Sequence, residues 1–243
     1  MPTQHEETVY ERLGEFHDLF MEPTWARLRP HMQTVFGHLD RSAAVAEIGA
    51  GTGLGVRTLA AVSDTQIWAL EPSLVMRATL TARIADDPEL CERVTILAGP
   101  APASLRDLPE RIDGVVCANM LGHLDVDERH ALFAWLAAHL SETGTCLVTT
   151  QEPAGSTRGS RIAEISEARS IGSYEYRATY LESGETGSFS TRYEVWDGTT
   201  RLRAETYTGR WHVLSAQQLG AELAGTRLAI QAIEPGIALI RRA

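Results

Sequence analysis

The sequence predicts an α/β fold in which a mostly parallel sheet carries helices on both of its faces. Short apolar strands alternate with helical segments between about residues 41 and 151, and a glycine cluster follows the first strand. Strand interiors such as VVCA and CLVTT are almost continuously apolar or β-branched. Such alternation is typical of right-handed βαβ units, and strands of this composition are buried on both faces. The 243 residues are enough for one domain with a substantial core.

The elements follow from periodicity and from residues that favour helix or strand ends. Two amphipathic helices are predicted within residues 1–40, and Pro23 lies just inside the second, where its missing N–H is tolerated. Five strands are predicted next, at residues 43–48, 66–70, 94–97, 112–118 and 145–150. Helices are predicted between them at residues 54–62, 73–85 with Ser73 as N-cap, and 126–140, with a short helical turn near Leu105.

From about residue 152 the alternation of strands and helices ends. A helix is expected at residues 160–168, followed by a hairpin of residues 188–196 and 199–208 around the Asp-Gly turn at 197–198. A last helix at 216–223, capped by Ser215, precedes an antiparallel pair at 227–233 and 237–241. Residues 152–212 are therefore predicted to be an insertion between the fifth strand and the last helix.

Composition excludes several classes of function. The net charge is −10, and all 22 basic residues are Arg, which excludes a Walker-type or Schiff-base lysine and makes nucleic acid an unfavourable partner. The three cysteines are widely spaced, so neither a disulfide framework nor a zinc-binding cysteine pair is predicted. No signal peptide and no apolar run long enough for a membrane span are found, so we expect a cytoplasmic protein without a membrane partner.

The glycine cluster is the most informative segment. Residues 45–53 read VAEIGAGTG, in which a strand leads into a turn whose glycines allow a ligand to approach the backbone. A dinucleotide fingerprint requires G-x-G-x-x-G/A. Counting from Gly49 places Leu54 at the third glycine position, and counting from Gly51 places Val56 there, so the dinucleotide spacing is absent.

Two acidic residues accompany the glycines. Glu47 precedes the loop and suits a positively charged ligand, since it would repel a pyrophosphate. Glu71 ends the second predicted strand, where a carboxylate accepts hydrogen bonds from ribose hydroxyls in Rossmann-like nucleoside sites. Together they indicate a nucleoside ligand with a ribose diol and a cationic tail.

The EIGAGTG segment at residues 47–53, Glu71, and Asp113 followed by VVCANMLGHL resemble the class I S-adenosylmethionine-dependent methyltransferases. The resemblance covers residues 40–151 and, less closely, the last thirty. It implies a Rossmann-like seven-stranded sheet with the last strand antiparallel, and S-adenosyl-L-methionine as cofactor. The cofactor-binding residues that it implies are Glu47, Gly49, Ala50, Gly51, Gly53, Glu71, Pro72, Ala101, Asn119, Met120 and Tyr10. One departure is that Pro100 and Ala101 stand where family members often carry an acidic residue for adenine.

The methyl acceptor is expected beyond the carboxyl ends of the strands, where ligands of open α/β sheets bind. His123 is a candidate general base there, the alternative being a histidine that helps to cap the following helix. Further candidates for acceptor contacts are Gln151, Glu152, Tyr174 and Tyr176. The alternatives are that the first two are solvated polar residues of a loop and that the two tyrosines only pack the hairpin onto the sheet. The aromatic-rich insertion favours a pocket for an organic acceptor, but hairpin packing and a homodimer contact explain its composition as well.

The predicted organisation is a single methyltransferase domain over residues 1–243. It comprises a helical cover at 1–40, a cofactor-binding core at 41–151, a substrate cap at 152–212, and a terminal helix and hairpin at 213–243. In the cover, Tyr10 and Trp25 are expected either to face the cofactor or to pack in the core. No histidine or carboxylate spacing indicates a metal, so a metal-independent enzyme is predicted, as monomer or homodimer.

The predicted function is methyl transfer to oxygen or nitrogen of a small organic molecule, in specialised metabolism. One alternative is a protein of the same fold that binds the cofactor without methylating. Another is methylation of a macromolecule, for which a peptide is the open case. The segment ANML after the fourth strand, at residues 118–121, and the acidic net charge argue against amino-methylation of DNA bases.

Overall fold

A computed structural model describes residues 4–151, 165–181 and 188–243, with side chains from residue 13 onward except those of residues 165 and 189. The described residues form eleven strands: β1 (Ala44–Ile48), β2 (Gln66–Glu71), β3 (Val94–Ala98), β4 (Ile112–Cys117), β5 (Leu140–Thr149), β6 (Ile165–Ile171), β7 (Tyr174–Leu181), β8 (Ser188–Asp197), β9 (Thr200–Arg210), β10 (Leu228–Glu234) and β11 (Ile237–Arg242). The α-helices are α1 (Gln4–Phe36), α2 (Leu54–Ala60), α3 (Leu74–Ala85), α4 (Pro88–Arg93), α5 (Val126–His139) and α6 (Ala216–Glu222).

Seven strands form the main sheet in the order β10-β11-β5-β4-β1-β2-β3. The strands β1 to β5 pair in parallel, and β11 is antiparallel to both of its neighbours. This topology confirms the predicted Rossmann-like fold with an antiparallel strand near one edge. The order reverses direction at β1, so the loops after β1 and β4 border the crevice in which open α/β sheets bind ligands.

Helix ends follow the capping residues of the sequence. The Ser73 hydroxyl accepts a hydrogen bond from Met76 N at 3.4 Å and begins α3, as predicted. Asp125 with Glu128 and Ser215 with Gln218 form capping boxes that begin α5 and α6. The short helix α4, for which Asp87 is the N-cap, was not predicted.

A second, antiparallel sheet lies between β5 and α6 in the chain, in the order β6-β7-β8-β9. The predicted hairpin around the Asp-Gly turn is its β8–β9 pair. The helix expected at 160–168 is wrong from residue 165 onward, where β6 pairs with β7. Pairing of residues 165–171 with β7 satisfies their backbone groups, so a helix is not needed there.

The predicted pair of N-terminal helices is wrong, because α1 is one continuous helix with Pro23 and Pro30 inside it. A proline in a helix interior costs about 3 kcal/mol. Two apolar groups on α1 offset this cost, at roughly 1.5–3 kcal/mol for each fully buried large side chain. Phe16 and Phe20 pack against the second sheet, whereas a stripe from Trp25 to Phe36 packs against the main sheet. The helix therefore joins both sheets.

The core divides into layers on the two faces of the main sheet. One face is covered by α1, α2 and α3, and the other by α5 and α6. No helix in the described part of the chain is both long and apolar enough to cross a membrane.

Candidate functional site

The loop between β1 and α2 has bare backbone at the carboxyl edge of the sheet. Gly49, Gly51 and Gly53 have φ values of 75°, 57° and 90°, a region that residues with a side chain rarely adopt. The loop is tied to the end of β2, because Gly49 N and Ala50 N donate to the Leu70 carbonyl at 2.8 and 3.0 Å. A side chain at any of these glycines would be strained, so the loop keeps its backbone bare, which fits a ligand that contacts the backbone.

Glu71 lies beside this loop at the end of β2 and is only 5% exposed. Its two oxygens accept hydrogen bonds from Gly51 N and Ser73 N, both at 2.8 Å. Burial raises the pKa of Glu71, and the two backbone bonds act in the opposite direction. Each carboxylate oxygen can accept a second hydrogen bond. The carboxylate therefore fits the ribose diol predicted from the sequence.

Glu47 is enclosed rather than displayed on the loop. It is 1% exposed, and neither carboxyl oxygen has a hydrogen-bond partner among the described residues. A Cβ built on Gly55 would stand 1.9 Å from Glu47 Oε1 and 2.3 Å from Trp25 Cη2, so both groups press on the backbone of α2. Burial raises the pKa of Glu47 well above its usual value, and the charge of Glu71 adds to the rise. A cationic ligand nearby would stabilise its ionised form.

The loop after β4 meets the glycine loop. A Cβ on Gly49 would stand 3.0 Å from Met120 Cβ. Asn119 has a φ of 52°, and its N–H donates to the Thr149 hydroxyl at 2.7 Å. The Asn119 side-chain Nδ2 is buried and has no hydrogen-bond partner among the described residues. This donor and the enclosed Glu47 carboxyl are unpaired polar groups of the kind that a bound cofactor would satisfy.

His123 and Gln151 are brought together by Trp211, which the sequence analysis did not include among the site residues. The His123 ring meets the Trp211 ring edge-on, with centroids 4.7 Å apart, and Trp211 Nε1 donates to Gln151 Oε1 at 2.6 Å. Burial lowers the pKa of His123 to about 4, so its imidazole is neutral at physiological pH. We call these three residues the histidine–tryptophan cluster; it follows β4, β5 and β9.

A second group missed by the sequence analysis fastens α1 to the glycine loop. Asp18 forms an ion pair with Arg83 of α3 and accepts a hydrogen bond from the Thr52 hydroxyl. Arg83 Nη1 also donates to the Thr52 carbonyl at 3.0 Å. Burial raises the pKa of Asp18, but hydrogen bonds from His17, Thr52 and Arg83 hold it well below its usual range. No sequence motif marks this group, because its members come from three separate elements.

Other predicted cofactor residues lie around this edge or in the core. Pro72 follows Glu71 directly, and Ala101 is 8% exposed and packs in the core beside the loop after β3. Trp25 is buried in the core, as one of the two alternatives expected. Tyr10 lies in α1, and its side chain is outside the described part of the structure.

Two further predicted acceptor residues, Tyr174 and Tyr176, lie in β7 of the second sheet. Tyr176 packs edge-on against Phe16 of α1, with centroids 5.9 Å apart. Tyr174 begins β7 and is 44% exposed. Glu152 lies outside the described residues. Within the ranges that the structure describes, no group of three or more histidine, cysteine or acidic residues could hold a metal ion.

The comparisons with known proteins agree with this geometry. Residues 45–144, which span β1 to the first half of β5, match a family model described as a methyltransferase domain. Among curated proteins, none matches the chain significantly by sequence.

Solved structures share the fold over nearly the whole chain. The S-adenosylmethionine-bound amino pentose methyltransferase CalS10 from Micromonospora echinaspora is 19% identical, with a TM-score of 0.70 over 100% of this chain and 98% of its own. DesVI from Streptomyces venezuelae is 16% identical, with a TM-score of 0.68 over the full length of both chains. The sugar N-methyltransferase KedS8 from a Streptoalloteichus species is 18% identical, with a TM-score of 0.62 over 90% and 87%. The resemblance stated from the sequence is thereby confirmed at the level of domain and fold.

Proposed function

We propose that this chain methylates an amino nitrogen of a small, sugar-like molecule. The proposal is supported by the match of residues 45–144 to a methyltransferase domain model and by the fold that the chain shares with S-adenosylmethionine-dependent methyltransferases. S-adenosyl-L-methionine, when bound, supplies a methyl group on a positively charged sulfur that is already a good leaving group. The protein therefore contributes mainly by orienting the two reactants and excluding water.

The cofactor would be held by groups from four elements. The glycine loop provides bare backbone, and Glu71 accepts hydrogen bonds from the ribose hydroxyls. Glu47 supplies negative charge near the cationic end, and the unpaired Asn119 amide supplies a buried donor. The observation that carries the assignment is the Glu71 carboxylate, fixed by Gly51 N and Ser73 N at the carboxyl edge of the sheet.

The histidine–tryptophan cluster favours nitrogen over oxygen as the methyl acceptor. A hydroxyl group has to lose its proton as it attacks, whereas a neutral amine attacks with its own lone pair. A histidine of pKa about 4 is a weak base, so it is poorly suited to take a proton from a hydroxyl. Its neutral ring can instead accept a hydrogen bond from an amine N–H and so point the lone pair at the methyl group. In this proposal His123 orients the acceptor rather than removing its proton.

A sugar-like acceptor is supported by the other two members of the cluster. Trp211 offers an aromatic ring on which the apolar face of a sugar can pack, and the Gln151 side chain is available at its edge for hydroxyl groups. Two of the similar structures are those of an amino pentose methyltransferase and a sugar N-methyltransferase. Such acceptors occur in specialised metabolism, in agreement with the function predicted from the sequence.

The proposal is tested by binding and then by transfer. Calorimetric titration should show binding of S-adenosylhomocysteine and none of NAD, which serves as the control. With a deuterated methyl donor, mass spectrometry should detect labelled product from a 3-amino-3-deoxyhexose and none from the parent hexose. Methylation of the hexose instead would overturn the choice of nitrogen. Binding of S-adenosylhomocysteine without methyl transfer to any amine would favour the alternative, a cofactor-binding protein that does not methylate.

Replacing His123 by alanine should lower turnover by roughly tenfold or more, because the transition state loses the one hydrogen bond that orients the acceptor. The affinity for S-adenosylhomocysteine should stay unchanged. Because the ring is neutral above about pH 4, His123 should contribute no inflection to turnover between about pH 5.5 and 8. Steady-state kinetics and calorimetry check both effects. His130→Ala, on the exposed side of α5, is the control. Full turnover in the His123 variant would contradict the role.

A further inference from the structure

His17 extends from α1 to the front of the glycine loop. A Cβ built on Gly51 would stand 3.4 Å from His17 Cε1 and 3.6 Å from His17 Nε2. The ring also exerts an electrostatic effect on the Glu71 carboxylate, whose pKa it lowers. The edge of the imidazole that carries Nε2 thus lies at the front of the glycine loop, within electrostatic reach of Glu71. No sequence motif marks His17 as a site residue.

The other ring nitrogen fixes the orientation of this edge. His17 Nδ1 lies 3.3 Å from Asp18 Oδ1 and 3.3 Å from the Thr52 hydroxyl. Asp18 is itself held by the ion pair with Arg83. These two contacts hold Nδ1 on the side of Asp18 and Thr52, so the opposite nitrogen, Nε2, is turned toward the loop, where an N–H at Nε2 can donate. Asp18 therefore prepares the ring to donate toward the loop.

The charges around the loop make such a donor necessary. Two acidic side chains contact the loop, Glu71 through Gly51 N and Asp18 through the Thr52 hydroxyl, and both suit the cationic end of the cofactor. The cofactor also carries a carboxylate, which these groups repel. The nearby cations are already engaged, since Arg83 binds Asp18 and the Thr52 carbonyl, and Arg77 binds the Glu71 carbonyl at 2.9 Å. His17 Nε2, which stands 3.6 Å from a Cβ built on Gly51 at the front of the loop, can supply a donor to that carboxylate.

We propose that His17 Nε2 donates a hydrogen bond to the carboxylate of the cofactor's amino-acid end, and that Asp18 is the residue that positions it. This inference rests on the proposed function, because it takes S-adenosyl-L-methionine as the ligand. It adds a cofactor contact carried by α1 to those of the sheet. Helix α1 is thereby made part of the binding site, and its ion pair with α3 holds it there.

The test compares two ligands that differ by one group. S-adenosylhomocysteine and its decarboxylated analogue are titrated calorimetrically into the wild-type protein and into His17→Phe, His17→Gln and Asp18→Asn. In His17→Phe we expect S-adenosylhomocysteine affinity to fall about tenfold, as for the loss of one charge-assisted hydrogen bond, and affinity for the analogue to stay unchanged. His17→Gln, which keeps a donor, should recover part of the loss, and Asp18→Asn should lose part of the preference for the carboxylate. His38→Gln, an exposed histidine beyond α1, is the matched control.

The inference is judged by the ratio of the affinity for S-adenosylhomocysteine to that for its decarboxylated analogue. Equal losses for both ligands in His17→Phe would overturn the inference, since a histidine that merely supports the loop affects them alike. An unchanged affinity for S-adenosylhomocysteine would overturn it as well. Failure of the proposed function is a different result, in which the wild-type protein binds the ligand and prefers the carboxylate but methylates no amine.

Discussion

Glu71→Ala is expected to weaken S-adenosylhomocysteine binding by at least about 100-fold. The substitution removes the carboxylate that would accept hydrogen bonds from both ribose hydroxyls, and each bond to a charged group contributes about 1.5–3 kcal/mol. Two such bonds amount to roughly two or more factors of ten in affinity. It also removes the acceptor for Gly51 N and Ser73 N, which sets the position of the glycine loop against the start of α3.

Calorimetry with S-adenosylhomocysteine measures the loss directly, and thermal unfolding checks that the variant is folded. Asp87→Ala is a matched control, because the Asp87 carboxylate also accepts two backbone N–H bonds, from Glu89 and Leu90, at the beginning of α4. That variant should lose stability by a comparable amount and keep its ligand affinity. Glu71→Gln should fall between the wild-type protein and Glu71→Ala, since it keeps one oxygen but loses the charge.

The expectation would fail if Glu71→Ala bound S-adenosylhomocysteine within about threefold of the wild-type protein while remaining folded. Glu71 would then be a structural acceptor for the loop alone. The prediction that Glu71 binds the ribose hydroxyls would then be wrong, although the assignment of the fold would not change.

Local sequence signals were sufficient for the parallel half of the fold. The apolar strands, the Ser73 cap and the glycine loop each depend on residues close together in the chain, and the structure has them where predicted. Long-range packing decided the elements that were missed. Pro23 indicates a helix start locally, but α1 continues through it because its two halves pack on two different sheets.

The candidate site divides in the same way. Glu71 and the glycines could be placed from sequence because the carboxyl ends of parallel strands meet at one edge. Asp18, Thr52 and Arg83 come from three elements with no shared motif, and their ion pair exists only once α1 crosses the loop. Trp211 is a similar case, since it reaches His123 and Gln151 from the end of the second sheet. Pairing between distant segments of this kind leaves no local pattern to recognise.

Glu47→Gln is expected to produce a large change in the pH dependence of stability. Burial holds the pKa of Glu47 well above its usual 4.5 in the folded protein. The folded state therefore keeps a proton that the unfolded state has released, and the free energy of unfolding falls as the pH rises between these two pKa values. The slope of this loss reaches about 1.4 kcal/mol per pH unit for one group. Glutamine does not titrate, so the variant lacks this part of the decline.

Urea unfolding of the wild-type protein and Glu47→Gln from about pH 5 to pH 8 measures the difference. The stability of the variant relative to the wild-type protein should increase with pH, whatever constant cost a buried amide adds. Glu142→Gln, at an exposed position of β5, should follow the wild-type profile. Parallel profiles for Glu47→Gln and the wild-type protein would show that the carboxyl group titrates normally in the fold.

The same carboxyl group connects stability to the cofactor. A ligand whose cationic end lies near Glu47 favours the ionised form, so its binding should release a proton while the wild-type carboxyl is protonated. Calorimetry in buffers of different ionisation enthalpy detects that proton, and Glu47→Gln should abolish the release. If binding released the same number of protons from both proteins, Glu47 would lie outside the electrostatic reach of the ligand. The buried Glu47 side chain, enclosed by α2 and Trp25, would then only separate the glycine loop from β1. The negative charge that faces the cationic end of the ligand would come from Glu71 and Asp18.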